Sequence, residues 1–312
     1  MGMHLLVIGG AGYLGSVMVH RFLEEGYRVT VLDNLMYKQH SLLHLCLNPD
    51  FTFVKGDCRD EALVKKLIKD VDCIIPLAAI VGAKASERDT LVTKSTNLDS
   101  IVMLNKLRSK NQRIVFPTTN SGYGTKSGEI FCTEETPLEP ISLYGETKVC
   151  AEKELLNSQN AITLRLATVF GLSLRMRLDL LVNDFTYRAL TDGYIIIYEK
   201  HFKRNYIHIQ DVANCFKYCI EHFDTMKNEP YNVGLNDANL SKEELALKIK
   251  EHIPGFYIHF SEIGHDPDRR NYIVSNDKIN QQGFRARYSL DDGICEIIKG
   301  YNMLSNSNFS NA

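Results

Sequence analysis

The stretch His4-Leu-Leu-Val-Ile-Gly9-Gly-Ala-Gly12-Tyr-Leu-Gly15 decides the fold. Its first five residues are mostly apolar and predict a strand, and the glycines at every third position after them open a helix. Glycines in that context permit a tight turn, let a pyrophosphate approach the helix N-terminus, and allow the helix to pack closely on the strand. The glycines alone would also suit a plain strand–helix turn, so a dinucleotide site must be argued from the residues around them.

Strands and helices alternate through the first half of the chain. After the strand at residues 4–8, further strands are predicted at 28–32, 51–55, 73–76, 113–117 and 162–166. Helices are predicted at residues 12–25 and 142–158 and near 60–69 and 90–109. Apolar strands separated by helices indicate a parallel sheet covered on both faces. The predicted fold class is α/β, a Rossmann-type doubly wound parallel sheet with a smaller C-terminal substrate-binding lobe.

The alternation changes after Gly171. Residues 172–192 are rich in Arg and Asp and are predicted to be helical, and Ser241 is expected to cap a later helix. Further strands are predicted at 194–198, 206–209 and 230–233. The predicted domains are a dinucleotide-binding domain of residues 1–171, to which 203–234 return, and a substrate lobe of residues 172–202 and 235–312.

Composition excludes several classes of function. The formal net charge of the 312 residues is -2, from 36 basic and 38 acidic side chains, so nothing suggests binding to nucleic acid or an anionic membrane. The eight cysteines form no Cys-x-x-Cys pair, which disfavours a metal site and is typical of reduced thiols in a cytoplasmic protein. No signal peptide is expected, and no apolar stretch approaches the roughly 20 residues that a membrane span requires.

Acidic residues after the strands indicate which cofactor binds. Asp33 ends the second strand, 24 residues after Gly9, where its carboxylate can accept hydrogen bonds from an adenosine ribose. A carboxylate there repels a 2′-phosphate, and Asn34-Leu-Met36 brings no arginine, so NAD is favoured over NADP. Asp57 after the third strand and Leu77-Ala-Ala79 after the fourth are placed to approach the rest of the cofactor, although alone each is more often structural.

A second motif, Ser142-Leu-Tyr144-Gly-Glu-Thr-Lys148, can move a proton. A tyrosine and a lysine four residues apart lie on one face of a helix, so the ammonium can sit near the phenol. We expect Lys148 to lower the pKa of Tyr144 from about 10 toward neutrality, where the phenol acts as a base. The competing interpretation is a surface tyrosine and a solvated lysine.

Taken in order, these motifs resemble the extended short-chain dehydrogenase/reductase family of nucleotide-sugar enzymes over nearly the whole chain. The motifs are the glycine turn, Asp33, Asp57, Leu77-Ala-Ala79, Asn97, Thr118-Thr-Asn-Ser-Gly-Tyr123-Gly, Tyr144-x-x-x-Lys148 and Arg165. The resemblance implies that Tyr144 is the base, that Thr119 hydrogen-bonds the sugar oxygen, and that Lys148 also holds the nicotinamide ribose. It implies NAD contacts at Gly9, Gly12, Tyr13, Leu14, Asp33, Asn34, Asp57, Cys58, Leu77, Ala78, Ala79, Asn97, Tyr144 and Lys148.

The resemblance also implies a substrate site. Arg204-Asn-Tyr-Ile-His208-Ile-Gln-Asp211 is similar to a family stretch whose arginine binds a substrate phosphate, and Arg269-Arg270 matches a later arginine with the same role. Guanidinium groups suit a diphosphate, although solvated or salt-bridged arginines are the competing interpretation. His208 is expected to be a buried, hydrogen-bonded histidine. The implied substrate contacts are Thr119, Asn120, Ser121, Thr168, Arg175, Arg177, Asn183, Arg204 and Arg270.

Departures from the family pattern narrow the implied reaction. Dehydratases of the family carry Asp-Glu after the catalytic threonine, whereas this chain has Asn120 and Ser121, so oxidation at C4 of the sugar without 4,6-dehydration is implied. Residues 173–186 resemble a subgroup that includes bacterial GDP-heptose 4-dehydrogenases. A GDP-heptose 4-dehydrogenase is therefore favoured. A 4-epimerase acting on a GDP- or UDP-sugar is the alternative, and a non-enzymatic NAD-binding scaffold is a third possibility.

The family also implies an assembly. Its members dimerise through helices that correspond to residues 90–109 and 142–158, so a homodimer is expected. Val102, Leu104 and Leu107 could contribute to that interface, but burial in the core of the same chain is the competing role.

Overall fold

The computed structural model describes residues 2–126, 131–263 and 270–304. The strands are β1 His4–Ile8, β2 Arg28–Asp33, β3 Phe51–Lys55, β4 Cys73–Pro76, β5 Arg113–Thr119, β6 Phe131–Cys132, β7 Ala161–Leu166, β8 Thr168–Phe170, β9 Tyr194–Tyr198, β10 Lys203–His208, β11 Pro230–Val233, β12 Asn239–Ser241, β13 Tyr257–Ser261 and β14 Ile273–Val274. The helices are α1 Tyr13–Glu24, α2 Glu61–Leu67, α3 Ala83–Arg88, α4 Thr90–Lys94, α5 Ser100–Leu107, α6 Leu143–Asn157, α7 Leu181–Thr191, α8 Ile209–Glu221, α9 Phe223–Met226, α10 Lys242–His252, α11 Asp277–Gln281 and α12 Leu290–Tyr301.

A seven-stranded sheet forms the centre of the molecule, in the order β11-β7-β5-β4-β1-β2-β3. Its strand pairs are all parallel, which confirms the predicted α/β class. β1 lies between β2 and β4, so the strand order reverses beside β1. In a doubly wound sheet such a reversal opens a crevice above the carboxyl ends of the strands, where ligands bind.

Helices cover both faces of this sheet, as the apolar strands predict. Phe22 of α1 and Phe216 of α8 pack in one core cluster with β1, β2 and β7. Leu104 of α5 and Leu155 of α6 pack in a second cluster on the other side of the strands. A third cluster, built around α7, α10 and α12, forms the core of the smaller lobe.

The prediction of a continuous helix at residues 172–192 is wrong. α7 begins only at Leu181, and residues 172–180 are irregular. Gly171 has a φ of 114°, which favours glycine and turns the chain away from a helical path. The Asn183 amide then binds the Gly171 N–H at 3.1 Å and the Arg177 carbonyl at 2.8 Å, so a side chain satisfies backbone groups that a helix would have paired.

The described residues contain no helix long and apolar enough to cross a membrane. All eight cysteines are free, and four of them are buried. Across residues 2–126, 131–263 and 270–304, no group of three or more His, Cys, Asp and Glu side chains is arranged to hold a metal ion.

Candidate functional site

A cavity of about 920 Å3 lies at the carboxyl ends of the central strands and extends to α7 of the smaller lobe. It brings together most of the predicted residues. Those predicted to contact the cofactor and found in its wall are Gly9, Gly12, Tyr13, Leu14, Asp33, Asn34, Asp57, Cys58, Leu77, Ala78, Ala79, Tyr144 and Lys148. Those predicted to contact substrate and found there are Thr119, Ser121, Thr168, Arg175, Arg177, Arg204 and Arg270. Arg269 lies outside the described residues.

The glycine turn presents an unobstructed helix end to this cavity. Gly9 has a φ of 85°, and a Cβ there would lie 2.5 Å from the Ala78 nitrogen, so the position requires glycine. Gly12 precedes α1, whose first turn receives no side-chain cap from the described residues. Free N–H groups at the positive end of a helix bind phosphate. The turn therefore fits a dinucleotide pyrophosphate.

Asp33 is bound to the same turn. One carboxylate oxygen accepts the Ala11 N–H at 3.0 Å and the other accepts the Leu35 N–H at 2.8 Å. Burial raises the pKa of Asp33, and these two backbone bonds oppose the rise. A carboxylate offers about four acceptor sites, so Asp33 keeps the capacity to accept ribose hydroxyls while it fixes the turn.

Replacing Asp33 with asparagine should weaken the binding of NAD. It should also reduce the difference between the Kd values for NAD and NADP. The variant loses a charged acceptor, which corresponds to about a tenfold rise in the Kd for NAD, and it also loses the charge that repels a 2′-phosphate. Calorimetric titration of nucleotide-free protein with each cofactor checks both effects. Asp50→Asn, at an exposed position before β3, is the control, and an unchanged ratio of the two Kd values in Asp33→Asn would contradict the prediction.

Asp57 and Cys58 line the cavity beside an arginine that the sequence analysis missed. The Arg59 guanidinium binds Asp57 with a nitrogen–oxygen distance of 2.7 Å and lowers the pKa of that carboxyl to about 2. Burial raises the pKa of the Cys58 thiol to about 11, so the thiol is neutral. The juxtaposition of Asp57 and Arg59 in the sequence was a signal for this pair.

Tyr144, Lys148 and Thr119 meet at the inner end of the cavity. Ser142 caps α6 by accepting the Gly145 N–H at 3.2 Å, which places Tyr144 in the first turn and Lys148 in the next. Thr119 ends β5 and hydrogen-bonds the Tyr144 hydroxyl. The arrangement predicted from the spacing of the two motifs is thus present.

The Lys148 ammonium is buried and faces the cavity. Its side chain is only 3% exposed, and Nζ lies 3.8 Å from the centroid of the Phe116 ring. No described residue accepts a hydrogen bond from the Lys148 ammonium. A buried donor without such an acceptor fits a site that binds the hydroxyls of a cofactor ribose.

The expected lowering of the Tyr144 pKa is wrong for this structure. Burial raises the pKa of Tyr144, and the charges of Arg177 and Arg270 and the hydrogen bond with Thr119 oppose the rise without reversing it. Burial also lowers the pKa of Lys148 to about 7, against a smaller effect of Glu152. The helical spacing brings the two groups close, but both charged forms lose solvation at the same buried place.

Arg204 of β10 and Arg270 also line the cavity. Arg270 donates a hydrogen bond to the Ser121 hydroxyl, which also accepts one from Thr119 at 2.9 Å. Arg204 is buried, and its guanidinium carbon lies 5.5 Å from the centroid of the Tyr272 ring. Arg270 therefore lies next to Thr119 through Ser121, and Arg204 lines the same cavity beside Tyr272.

Arg175 and Arg177 are buried, so they are not solvated surface charges, but Arg177 forms a salt bridge with Asp179, as the competing interpretation predicts. The Arg175 guanidinium lies 4.5 Å from the centroid of the Tyr37 ring. Arg177 binds the Asp179 carboxylate through two nitrogens. These contacts hold the irregular segment against the cavity.

Three predicted contact residues do not line the cavity. Asn97 uses its amide to bind the backbone N–H and C=O of Ile80, and it donates to Thr147 of α6. Asn183 is fully buried and binds the irregular segment, as described above. Asn120 is 1% exposed in the short turn after β5. Tertiary packing places these three side chains behind the cavity wall, and their cofactor and substrate contacts stay predictions.

His208 is confirmed as a buried, hydrogen-bonded histidine. Its ring is 2% exposed, and Nε2 lies 2.8 Å from a carboxylate oxygen of Glu296. It does not line the cavity.

Comparisons with known proteins agree with this geometry. A family model described as "NAD dependent epimerase/dehydratase family" matches residues 5–234. A UDP-glucose 4-epimerase from Lactobacillus helveticus is 30% identical over 274 residues, which cover 79% of this chain and 82% of that protein.

Solved structures of similar proteins share the fold over nearly their whole length. A dTDP-glucose 4,6-dehydratase from Bacillus anthracis in complex with NAD superposes with a TM-score of 0.83 at 24% identity, covering 97% of this chain and 98% of that one. A UDP-glucose 4-epimerase from Thermotoga maritima with UDP-glucose gives 0.82 at 25% identity, covering 96% and 99%. Since the family model spans the sheet, the glycine turn and the Tyr144 helix, the chain belongs to the NAD-dependent epimerase/dehydratase family and is an enzyme that uses NAD.

Proposed function

We propose that this enzyme oxidises the C4 hydroxyl of a nucleotide-diphosphate sugar. The observation that carries the proposal is a single cavity that is lined by Thr119, Tyr144 and Lys148 and also by Arg204 and Arg270. The arginines suit a diphosphate. The sugar would then lie between the diphosphate and the three catalytic candidates.

Each catalytic candidate has a role that its position supports. When bound, NAD supplies the redox chemistry by accepting a hydride from the sugar carbon. Tyr144 takes the proton of the sugar hydroxyl, and Thr119 hydrogen-bonds the same oxygen. Burial lowers the pKa of Lys148 to about 7, so Lys148, one helical turn from Tyr144, can gain or lose a proton near neutral pH. Such acid–base assistance contributes about 100- to 10,000-fold to a rate.

Elimination of water is not part of the proposal. The two residues after Thr119 are Asn120 and Ser121, and neither is a carboxylic acid that could act as acid or base. Ser121 hydrogen-bonds Thr119 and Arg270. A 4-keto sugar formed here would therefore keep its C6 oxygen.

Two fates of the oxidised sugar have separate support. The resemblance of residues 173–186 to the GDP-heptose subgroup favours a GDP-heptose 4-dehydrogenase that releases the 4-keto sugar. The relative from Lactobacillus helveticus is a UDP-glucose 4-epimerase, which favours a 4-epimerase with a transient keto intermediate. A non-enzymatic scaffold is disfavoured because Thr119, Tyr144 and Lys148 are all retained.

Purified enzyme incubated with NAD and individual GDP-, UDP- and dTDP-sugars, including GDP-heptose, tests the proposal. Reduced-nicotinamide absorbance reports a dehydrogenase, and proton NMR reports the sugar. A dehydrogenase yields a 4-keto sugar with matching reduced NAD, whereas an epimerase yields the 4-epimer with little net reduction. An unchanged sugar in every reaction, or a product that has lost water between C5 and C6, would contradict the proposal.

The homodimer and the cytoplasmic location stay predictions. Leu104 is buried in the core behind the sheet and Leu107 packs against it, which fits the competing role for these two side chains. Val102 is half-buried. Sedimentation at micromolar protein distinguishes a dimer from a 35.5 kDa monomer.

A further inference from the structure

A buried ion pair joins α6, the helix of Tyr144 and Lys148, to β7, and the proposed reaction gives neither member a role. Glu152 of α6 is 2% exposed, and Arg165 of β7 is 5% exposed. Arg165 donates to the carboxylate through Nη2 at 2.7 Å and Nε at 3.1 Å. Burial alone would lower the pKa of Arg165, but the hydrogen bonds and charge of Glu152 raise it above its ordinary value.

This pair connects the two elements that carry the catalytic candidates. Glu152 lies two turns after Tyr144 and one turn after Lys148, so the three share one face of α6. The second carboxylate oxygen of Glu152 accepts the Thr118 hydroxyl of β5 at 2.8 Å. Thr118 immediately precedes Thr119, so the ion pair joins the helix of Tyr144 to the end of the strand that carries Thr119.

The remaining guanidinium nitrogen of Arg165 is also hydrogen-bonded. Its Nη1 donates to the Tyr123 hydroxyl at 3.0 Å and to the Glu134 carbonyl at 3.0 Å. Tyr123, in the turn after Thr119, in turn donates to Asn232 of β11 at 2.7 Å. The carboxylate of Glu152 is thus held from α6, β5 and β7 in one geometry.

We propose that Glu152 is a positioning residue, whose carboxylate fixes the Tyr144 face of α6 against Thr119 and places a negative charge one helical turn from Lys148. The proposal deepens the proposed function, on which its kinetic consequence rests. A buried ion pair by itself is weak evidence for stability, whereas its bonds to both catalytic elements give it a specific task.

The charge of Glu152 has a measurable consequence at Lys148. Three other side chains lie near Lys148. Phe116 of β5 faces it and is uncharged, and Tyr144 precedes it by one turn on α6. Arg165 of β7 is paired with Glu152. Among the described residues, including the helices that pack on the far side of α6, Glu152 is the group whose charge acts on the pKa of Lys148. Removing this charge should make Lys148 lose its proton at lower pH.

Glu152→Gln tests the proposal in two ways. In nucleotide-free protein with isotopically labelled lysines, the NMR titration of Lys148, assigned through Lys148→Met, should move to lower pH by about one unit. With NAD and substrate, the limbs of the kcat–pH profile should move in the same direction. kcat should fall about tenfold at the wild-type optimum, while KM changes less than about twofold. Glu152→Asp keeps the charge and should restore the wild-type limbs.

Unpaired Arg165 could unfold Glu152→Gln, so the double variant Glu152→Gln with Arg165→Gln serves as the second test. It removes both members of the ion pair, so neither Glu152 nor Arg165 is left as an unpaired buried charge. A smaller displacement of the Lys148 titration in the same direction is expected. Two results would overturn the proposal in favour of a purely structural ion pair. One is an unchanged NMR titration of Lys148, and the other is a fall in kcat by the same factor at every pH. The NMR titration involves no substrate. An inactive wild type would therefore count against the proposed reaction, while the displacement of the Lys148 titration would still test the role of Glu152.

Discussion

Tyr144→Phe should greatly slow turnover while leaving the fold and most of the cofactor site intact. The change removes one hydroxyl, which the proposed reaction uses as its base, so kcat should fall about 100- to 10,000-fold. The phenylalanine ring keeps the same volume in a half-buried position. Single-turnover kinetics with NAD and the accepted sugar measure the loss, and NAD titration and thermal unfolding check the rest.

Tyr187→Phe is the matched control for this variant. Tyr187 is also half-buried and lines the same cavity from α7, but it has no hydrogen bond with Thr119 among the described residues. Its kcat should stay within about twofold of wild type. A Tyr144→Phe enzyme with near wild-type turnover would remove the proposed base and favour a scaffold or a different acid–base pair.

Lys148→Met should have two opposite effects, a loss of activity and a gain of stability. The loss of the ammonium should lower kcat by about 100-fold or more. The gain arises because wild type buries this charge where its pKa is about 7 instead of 10.5. Each pKa unit corresponds to about 1.4 kcal/mol, so the free energy of unfolding should rise by roughly 3 to 5 kcal/mol near neutral pH.

The gain should depend on pH in a defined window. Below pH 7 both the folded and the unfolded wild-type chains hold the Lys148 proton, so the penalty of burial is complete. Between pH 7 and about 10.5 only the unfolded chain holds it, so wild-type stability rises with pH and the advantage of Lys148→Met shrinks. Urea unfolding of nucleotide-free protein across this pH range measures the difference in free energy of unfolding between Lys148→Met and wild type. Lys153→Met, at an exposed position on the same helix, should show neither effect, and a pH-independent gain for Lys148→Met would contradict the explanation.

The sheet could be predicted from sequence because each strand carries its own signal. The apolar runs at residues 51–55 and 73–76 coincide with β3 and β4, and the glycine turn and Asp33 lie where a strand–helix–strand unit places them. Such features depend on local pattern. They also located most of the cavity wall, since the carboxyl ends of parallel strands lie at one edge.

Features that depend on distant partners could not be predicted in the same way. Residues 172–180 contain helix-forming side chains, but the segment follows an irregular path because Asn183 binds the Arg177 carbonyl and the Tyr13 carbonyl accepts the Ser173 hydroxyl. Asn97 is an amide at an expected position, but sequence does not show that it binds the Ile80 backbone, 17 residues earlier in the chain. The four-residue spacing of Tyr144 and Lys148 predicted their proximity, whereas the sign of the pKa change of Tyr144 depends on burial that spacing does not determine.

The last strand of the central sheet comes late in the chain. β11 pairs with β7, but the ribosome makes it only after the irregular segment, α7 and α8. A nascent chain or fragment that ends near Gly171 therefore exposes the edge of β7, and unpaired strand edges promote aggregation. A fragment that ends at residue 171 would therefore lack one strand of the central sheet. A fragment has to extend through Val233 to complete its sheet.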